Sequence, residues 1–288
     1  MQSEPELIVD EPCVVGEGPL WNPDDGRVYW VDIPAGRLYR YDPASGTHEC
    51  CYEAGVMLGG FTLQEDGALL LFLERGAVQV WRDGQTDTLI DEIPDERDSR
   101  FNDVIADPAG RVLCGTMPAN GRLGRLYRLN LDGTLTTLLD NIDISNGLGF
   151  SPDRTLLYYS ESNARTIHLF DYDVEAGDIG NRRVFAQNSP DWGVPDGLTV
   201  DAQGFVWCAY WDGSRLVRYR PDGGVEQTIN FPARKVSSVT FGGPEYDETY
   251  VTTAGGAKRA EEGEHAGGLF RLRLGVHGVP EFRSRVKL

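Results

Sequence analysis

A strand-sized apolar run recurs along this chain at a nearly fixed interval, and that interval constrains the fold more than any single motif. The runs are RVYWVDI from Arg27, ALLLFLE from Ala68, RVLCGTM from Arg111, TLLYYSE from Thr155, FVWCAYW from Phe205 and TYVTTAG from Thr249. Their starts lie 41, 43, 44, 50 and 44 residues apart. Each is followed by a break and a second strand (GRLYRYD, GAVQVWR, GRLYRLN, RTIHLFDY, SRLVRYR, GGLFRLR), then a turn and a weaker third strand. Each is preceded by a shorter strand such as NDVIADPAG or DGLTVDAQG. Four short antiparallel strands per repeat of this length make the blade of a β-propeller. Helical spacing is nearly absent, which argues against a TIM barrel or a doubly wound sheet. Closure into a ring also removes the open edges that six separate β-units would expose. The expected fold is all-β, a six-bladed β-propeller, with residues 1–288 as a single domain.

Composition narrows the partners. With 40% hydrophobic residues in 288, the chain has enough apolar side chains for a real core. The net charge of −18, from 45 acids against 27 bases, repels polyanions, so neither nucleic acid nor an anionic membrane is expected as a partner. Among the bases, arginine outnumbers lysine 24 to 3, a skew that fits either a salt-rich cytoplasm or a GC-rich genome. The apolar runs fall far short of the ~20 residues of a membrane helix. The opening MQSEPELIVDEP carries acids and proline where a signal peptide carries bases and an apolar run, so a cytoplasmic location is expected. Cys13, Cys50, Cys51, Cys114 and Cys208 are odd in number and lack C-x-x-C spacing, which indicates neither a disulfide framework nor a zinc knuckle. No motif speaks to oligomeric state.

The repeat register locates a candidate site. Counting back eight residues from the turn residues Gly67, Gly110, Arg154 and Gly204 lands on Gly59, Asn102, Asn146 and Asp196. In the first repeat the count is one longer and reaches Glu17; in the last it falls at Ser237 or Ser238. The first strand of a propeller blade lines the central channel, so these positions form a ring that reads Glu, Gly, Asn, Asn, Asp, Ser. Separations of 85, 44 and 50 residues along the chain converge in such a ring. Two carboxylates and two amides at a narrow opening suit a hard divalent cation in the central channel. Turn preference of Asn and Asp accounts for the same residue types without a ligand. The glycines in GEGP, SNG and PDG, however, let the backbone approach closely beside the candidate ligands.

These blocks carry a resemblance. VVGEGPLWNPDDGRVYWVDI, SRFNDVIADPAGRVLCGTM, DISNGLGFSPDRTLLYYSES and VPDGLTVDAQGFVWCAYWDG stand in order, followed by FGGPEYDETYVTTA and AGGLFRL. Together they make the chain resemble the SMP-30/gluconolactonase family of regucalcin-like proteins and sugar lactonases over essentially its whole length. The resemblance implies one divalent metal held by Glu17, Asn146 and Asp196, with Asp196 also the general base. It implies Asn102 beside substrate or a metal-bound water, and Arg100 as the substrate arginine. The implied activity is hydrolysis of aldonolactones (1,4- or 1,5-lactones to aldonates) in sugar catabolism. The alternative is a calcium-binding regulatory propeller without turnover, and a third is promiscuous phosphotriester hydrolysis. The oxygen-rich cage leans toward calcium, while zinc, manganese, magnesium and iron also occur across the family. One departure is clear: after GTM the segment PANGRLGRLYRL is shorter than in animal members, which places Asn120 near the position of their substrate-contacting acid.

Aromatic residues complete the candidates. Trp192, four residues before Asp196, and Trp211, at the end of a strand, are placed to stack on a sugar face; Met57 and Met117 sit at similar strand junctions. Trp30, Trp207 and Tyr158 read as core. The four histidines fall outside the ring register, and no G-x-S-x-G, P-loop or H-E-x-x-H motif is present.

Overall fold

The computed structural model describes residues 4–287. Six four-stranded antiparallel sheets stand in a ring, and their inner strands touch in cyclic order. These inner strands are Gly16–Asn22, Leu58–Leu63, Phe101–Ala106, Ser145–Phe150, Val194–Val200 and Lys235–Gly242, in blades 1 to 6. The second strands, such as Leu69–Leu73 and Val206–Trp211, are buried almost throughout because each blade packs on both faces. Outer strands such as Thr47–Glu53 and Ile179–Gln187 are largely exposed and polar.

Apolar burial is organised by interface between blades. Six clusters of buried side chains form, each drawing on two neighbouring blades. Phe72 of blade 2, for example, meets Phe101 of blade 3 edge to face at 5.3 Å between ring centres. Full burial of such a side chain stabilises by roughly 1.5–3 kcal/mol. Trp30, Trp207 and Tyr158 lie in these clusters, as their strand positions indicate.

Two features lie outside the simple repeat. The sixth sheet is composite: the N-terminal strand Glu6–Val9 pairs with Leu269–Arg273, so the two ends of the chain share one blade. The segment after that blade then crosses the lower face as a strap. His277 O accepts from Ala202 N, Gly278 N donates to Tyr246 O, and Ser284 N donates to Leu63 O. Farther along, Arg285 N bonds Gly110 O, Lys287 N bonds Leu131 O, and Phe282 packs edge-on against Phe150. With Arg283 paired to Asp24, the strap reaches all six blades. Six equal repeats therefore do not use the whole chain.

In every inner strand the pairing to its neighbour slips at the same level: between Glu17 and Leu20, Leu58 and Gly60, Phe101 and Val104, Ser145 and Leu148, Pro195 and Leu198, and Val236 and Ser238. A bulge breaks the in–out alternation of a strand and re-aims its side chains. The ring positions read from the repeat sit at these bulges.

Candidate active site

A cavity of about 550 Å³ opens on the upper face, at the bulge end of the inner strands. Glu17, Arg100, Asn102, Asn146 and Asp196 line it together, although they come from four blades. Glu17 and Asp196 are each only 4% exposed, and Asn102 and Asn146 6%. Trp211 and Met117 are in the wall. The remaining candidates lie elsewhere. Trp192 is outside the cavity, packed on Tyr210 and covered by the Arg215 guanidinium at 5.2 Å. Asn120 is exposed, donates to Asp98, and is likewise not in the wall. Met57 is exposed. Ser237 matches the ring by its bulge, but its hydroxyl is used on Gly16 O and the Thr252 hydroxyl, and neither it nor Gly59 lines the cavity.

A chain of hydrogen bonds fixes the two amides. The Ser162 hydroxyl gives its proton to Pro195 O at 2.7 Å, so it can only accept from Asn146. Asn146 Nδ2 therefore points at Ser162, at 2.6 Å, and Asn146 Oδ1 is turned to the opposite side. There it accepts from Asn102 Nδ2 at 2.6 Å, which leaves a second lone pair open. Asn102 Nδ2 also meets Ser145 O at 2.8 Å, and this presents Asn102 Oδ1 to the Arg100 guanidinium at 2.6 Å. Ser162 also lines the cavity; strand-end position alone gave no hint of its anchoring role.

The carboxylates are less well compensated. Burial, then the negative charge of Asp103, pushes the Glu17 carboxyl well above its ordinary range; Gly18 N donating to Glu17 Oε2 at 2.9 Å opposes this. Gly18 holds a left-handed φ of 53°, which a side chain there would resist. Burial, then Glu17 and Asp103, raises the Asp196 carboxyl in the same way. Among the described residues no hydrogen bond to protein reaches the Asp196 carboxylate. Among the described residues Arg100 is the guanidinium that acts on both acids, and burial lowers its own pKa.

This donor set fits a hard divalent cation. Two buried carboxylates carry more negative charge than Arg100 balances, and Asn146 Oδ1 adds an oriented neutral oxygen. Among the described residues no three His, Cys, Asp or Glu side chains group closely enough to hold a metal, so an ion here needs the amide oxygen. The third acid acting on this group, Asp103, lies next to Asn102 in the same bulge and was not among the residues singled out from the sequence. Simple strand alternation places it on the face opposite Asn102; the bulge turns both toward the axis.

Known proteins resemble this chain over nearly its whole length. Pentonolactonase XacC of Haloferax volcanii is 47% identical, with 98% of each chain covered. Regucalcin of Gallus gallus is 35% identical over 96% of this chain and 97% of its own. The crystal structure of the calcium-binding protein regucalcin from Agrobacterium tumefaciens superposes with a TM-score of 0.90 at 24% identity, covering 99% of this chain and 98% of that one, and so shares the fold. The model of the SMP-30/Gluconolactonase/LRE-like region matches residues 15–255. The chain belongs to the SMP-30/gluconolactonase family.

Proposed function

We propose that this protein is a hydrolase that opens sugar lactones, acting on a five- or six-carbon aldonolactone with a divalent cation, calcium by preference, held by Glu17, Asn146 and Asp196. The supporting observation is the single cavity in which two poorly compensated buried carboxylates, an oriented amide oxygen and Arg100 meet. Its volume of about 550 Å³ suits a monosaccharide-sized ligand. The whole-length likeness to a pentonolactonase supports the same reaction class.

A bound divalent cation supplies polarisation of the ester carbonyl and offsets the charge that builds on its oxygen. The rest of the chemistry falls to side chains. Asp196, whose carboxylate accepts no hydrogen bond from protein, takes the proton as water adds to the carbonyl carbon. The ring C–O bond then breaks, and the departing alkoxide takes that proton back from Asp196, leaving a hydroxy acid that ionises. Arg100 commits one terminal nitrogen to Phe101 O and Asn102 Oδ1; among the described residues the rest of its guanidinium makes no bond to protein, and it serves the substrate's oxygens. Trp211 offers its ring as an apolar wall beside them. A cation store without turnover has a use for the charge of Arg100 but not for the guanidinium nitrogens it leaves free.

The test mixes purified protein with a panel of aldonolactones, with and without chelator, and follows acid release with a pH dye. At least one lactone should open well above its spontaneous rate, and chelation should abolish the excess. If none does with any divalent ion supplied, the enzyme reading fails.

A further inference from the structure

Below the ring of candidate ligands the axis narrows to a channel of about 70 Å³. The next residues of the inner strands are Gly18, Gly60, Asp103, Gly147, Gly197 and Ser238, of which Gly18, Gly60, Asp103 and Ser238 line the channel. Four are glycines, and the neighbouring strands have closed over several of them. A Cβ on Gly147 would lie 2.4 Å from Leu198 N, and one on Gly197 would strike the Ser238 side chain. Asp103 is the one charged side chain among them. Among the described residues it has no hydrogen bond and no ion pair, yet it lines the channel beside Gly18 and Ser238.

Resting on the cation site argued above, we propose that Asp103 is a positioning residue that acts through its charge, making the cavity select a divalent cation and hold it tightly. Ionised, as a bound cation would favour, Glu17, Asp103 and Asp196 carry three negative charges, and Arg100 carries one positive. A divalent ion brings this buried group to zero. A monovalent ion leaves it negative, and a trivalent one leaves it positive; either residue of charge is costly where water is scarce. Asp103 need not touch the ion to do this, because charge interactions in a poorly hydrated interior extend over several ångströms. The electrostatics agree: Asp103 raises the carboxyls of both Glu17 and Asp196.

The experiment measures Ca²⁺ and Mn²⁺ affinity of the full chain by isothermal titration, and the melting temperature of the chelated protein, for wild type, D103N and E281Q. Glu281 is a second acid on the same channel, placed at its floor on the C-terminal strap, and it exerts no charge effect on the ring. D103N should weaken both ions on the order of tenfold or more and raise the melting temperature of the chelated protein, because a like charge has gone. E281Q should leave both affinities unchanged. Asp103→Ser repeats the measurement should D103N fold poorly. Equal affinity in D103N and wild type overturns the role of Asp103 while leaving the cation site intact. Equal weakening by E281Q also overturns it, as a general field effect. Failure of wild type to bind either ion overturns the cation site and this inference together.

Discussion

Ser162 spends its only proton on Pro195 O and so dictates which end of the Asn146 amide faces the cavity. Ser162→Ala removes that constraint and leaves Asn146 Nδ2 and Pro195 O without their partner. The expected cost is about 1–3 kcal/mol in urea denaturation, together with weaker cation affinity, because the amide can then turn its nitrogen inward. Unchanged affinity would show that Asn146 is oriented by Asn102 alone. Asp196→Asn preserves shape but removes the proton acceptor, so kcat should fall by about 10²–10⁴ in a fold with an unchanged circular dichroism spectrum. Full activity in that variant would assign the base elsewhere. At this scale the repeat register was informative: Glu17, Asn102, Asn146 and Asp196 were legible because one position of one repeat falls on one ring. Asp103 and Ser162 were not, since their roles depend on a bulge and on a hydrogen bond between blades.

The bulge is the element that turns a strand into a binding surface, and its glycines are where it can be broken. Gly147→Ala places a methyl 2.4 Å from Leu198 N and 2.5 Å from Asp196 O, so the strand carrying Asp196 must move. A loss of about 1–3 kcal/mol is expected from such overpacking, with cation affinity falling alongside. Gly180→Ala, where nothing lies within 4 Å of the added methyl, is the matched control and should be near neutral. The C-terminal strap offers a separate test. Burial pushes the Glu281 carboxyl from 4.5 up to about 7. In the folded protein it keeps its proton while the unfolded chain has already lost its own. Its contribution is therefore fully present below pH 4.5 and drains away as pH rises toward 7. E281Q should flatten that part of the stability–pH curve and stabilise the protein above it, read by thermal melts across pH 4–8. An unchanged curve would assign the slope to the other acids that burial raises, Glu17, Asp103 and Asp196. The strap itself escaped the sequence because VPEFRSRV, although it alternates from Glu281 onward, stands outside the period of the repeat. Asn120 and Trp192 illustrate the same limit: proximity in sequence to the ring does not say which way a connecting loop turns.

Across the whole molecule, the ring of six blades was legible because its period is written six times, whereas the join was not. Pairing of Glu6–Val9 with Leu269–Arg273 depends on two segments at opposite ends of the chain with no local signal linking them. The charge of −18 acts at this scale too. With 45 acids against 27 bases, mutual repulsion opposes the compact state. Raising KCl from 0.1 to 1 M shortens the screening length from about 10 to about 3 Å, and the melting temperature should rise by a few degrees. A fall over that range would mean that the many surface arginine–carboxylate pairs outweigh the excess charge. No helix among the described residues is long and apolar enough to cross a membrane.

The most direct check on a cation at the hub is anomalous diffraction from a crystal soaked in Mn²⁺. The expected result is a peak on the propeller axis bounded by the oxygens of Glu17, Asn146 and Asp196. A map with no peak there, or with those three side chains turned apart, would contradict it.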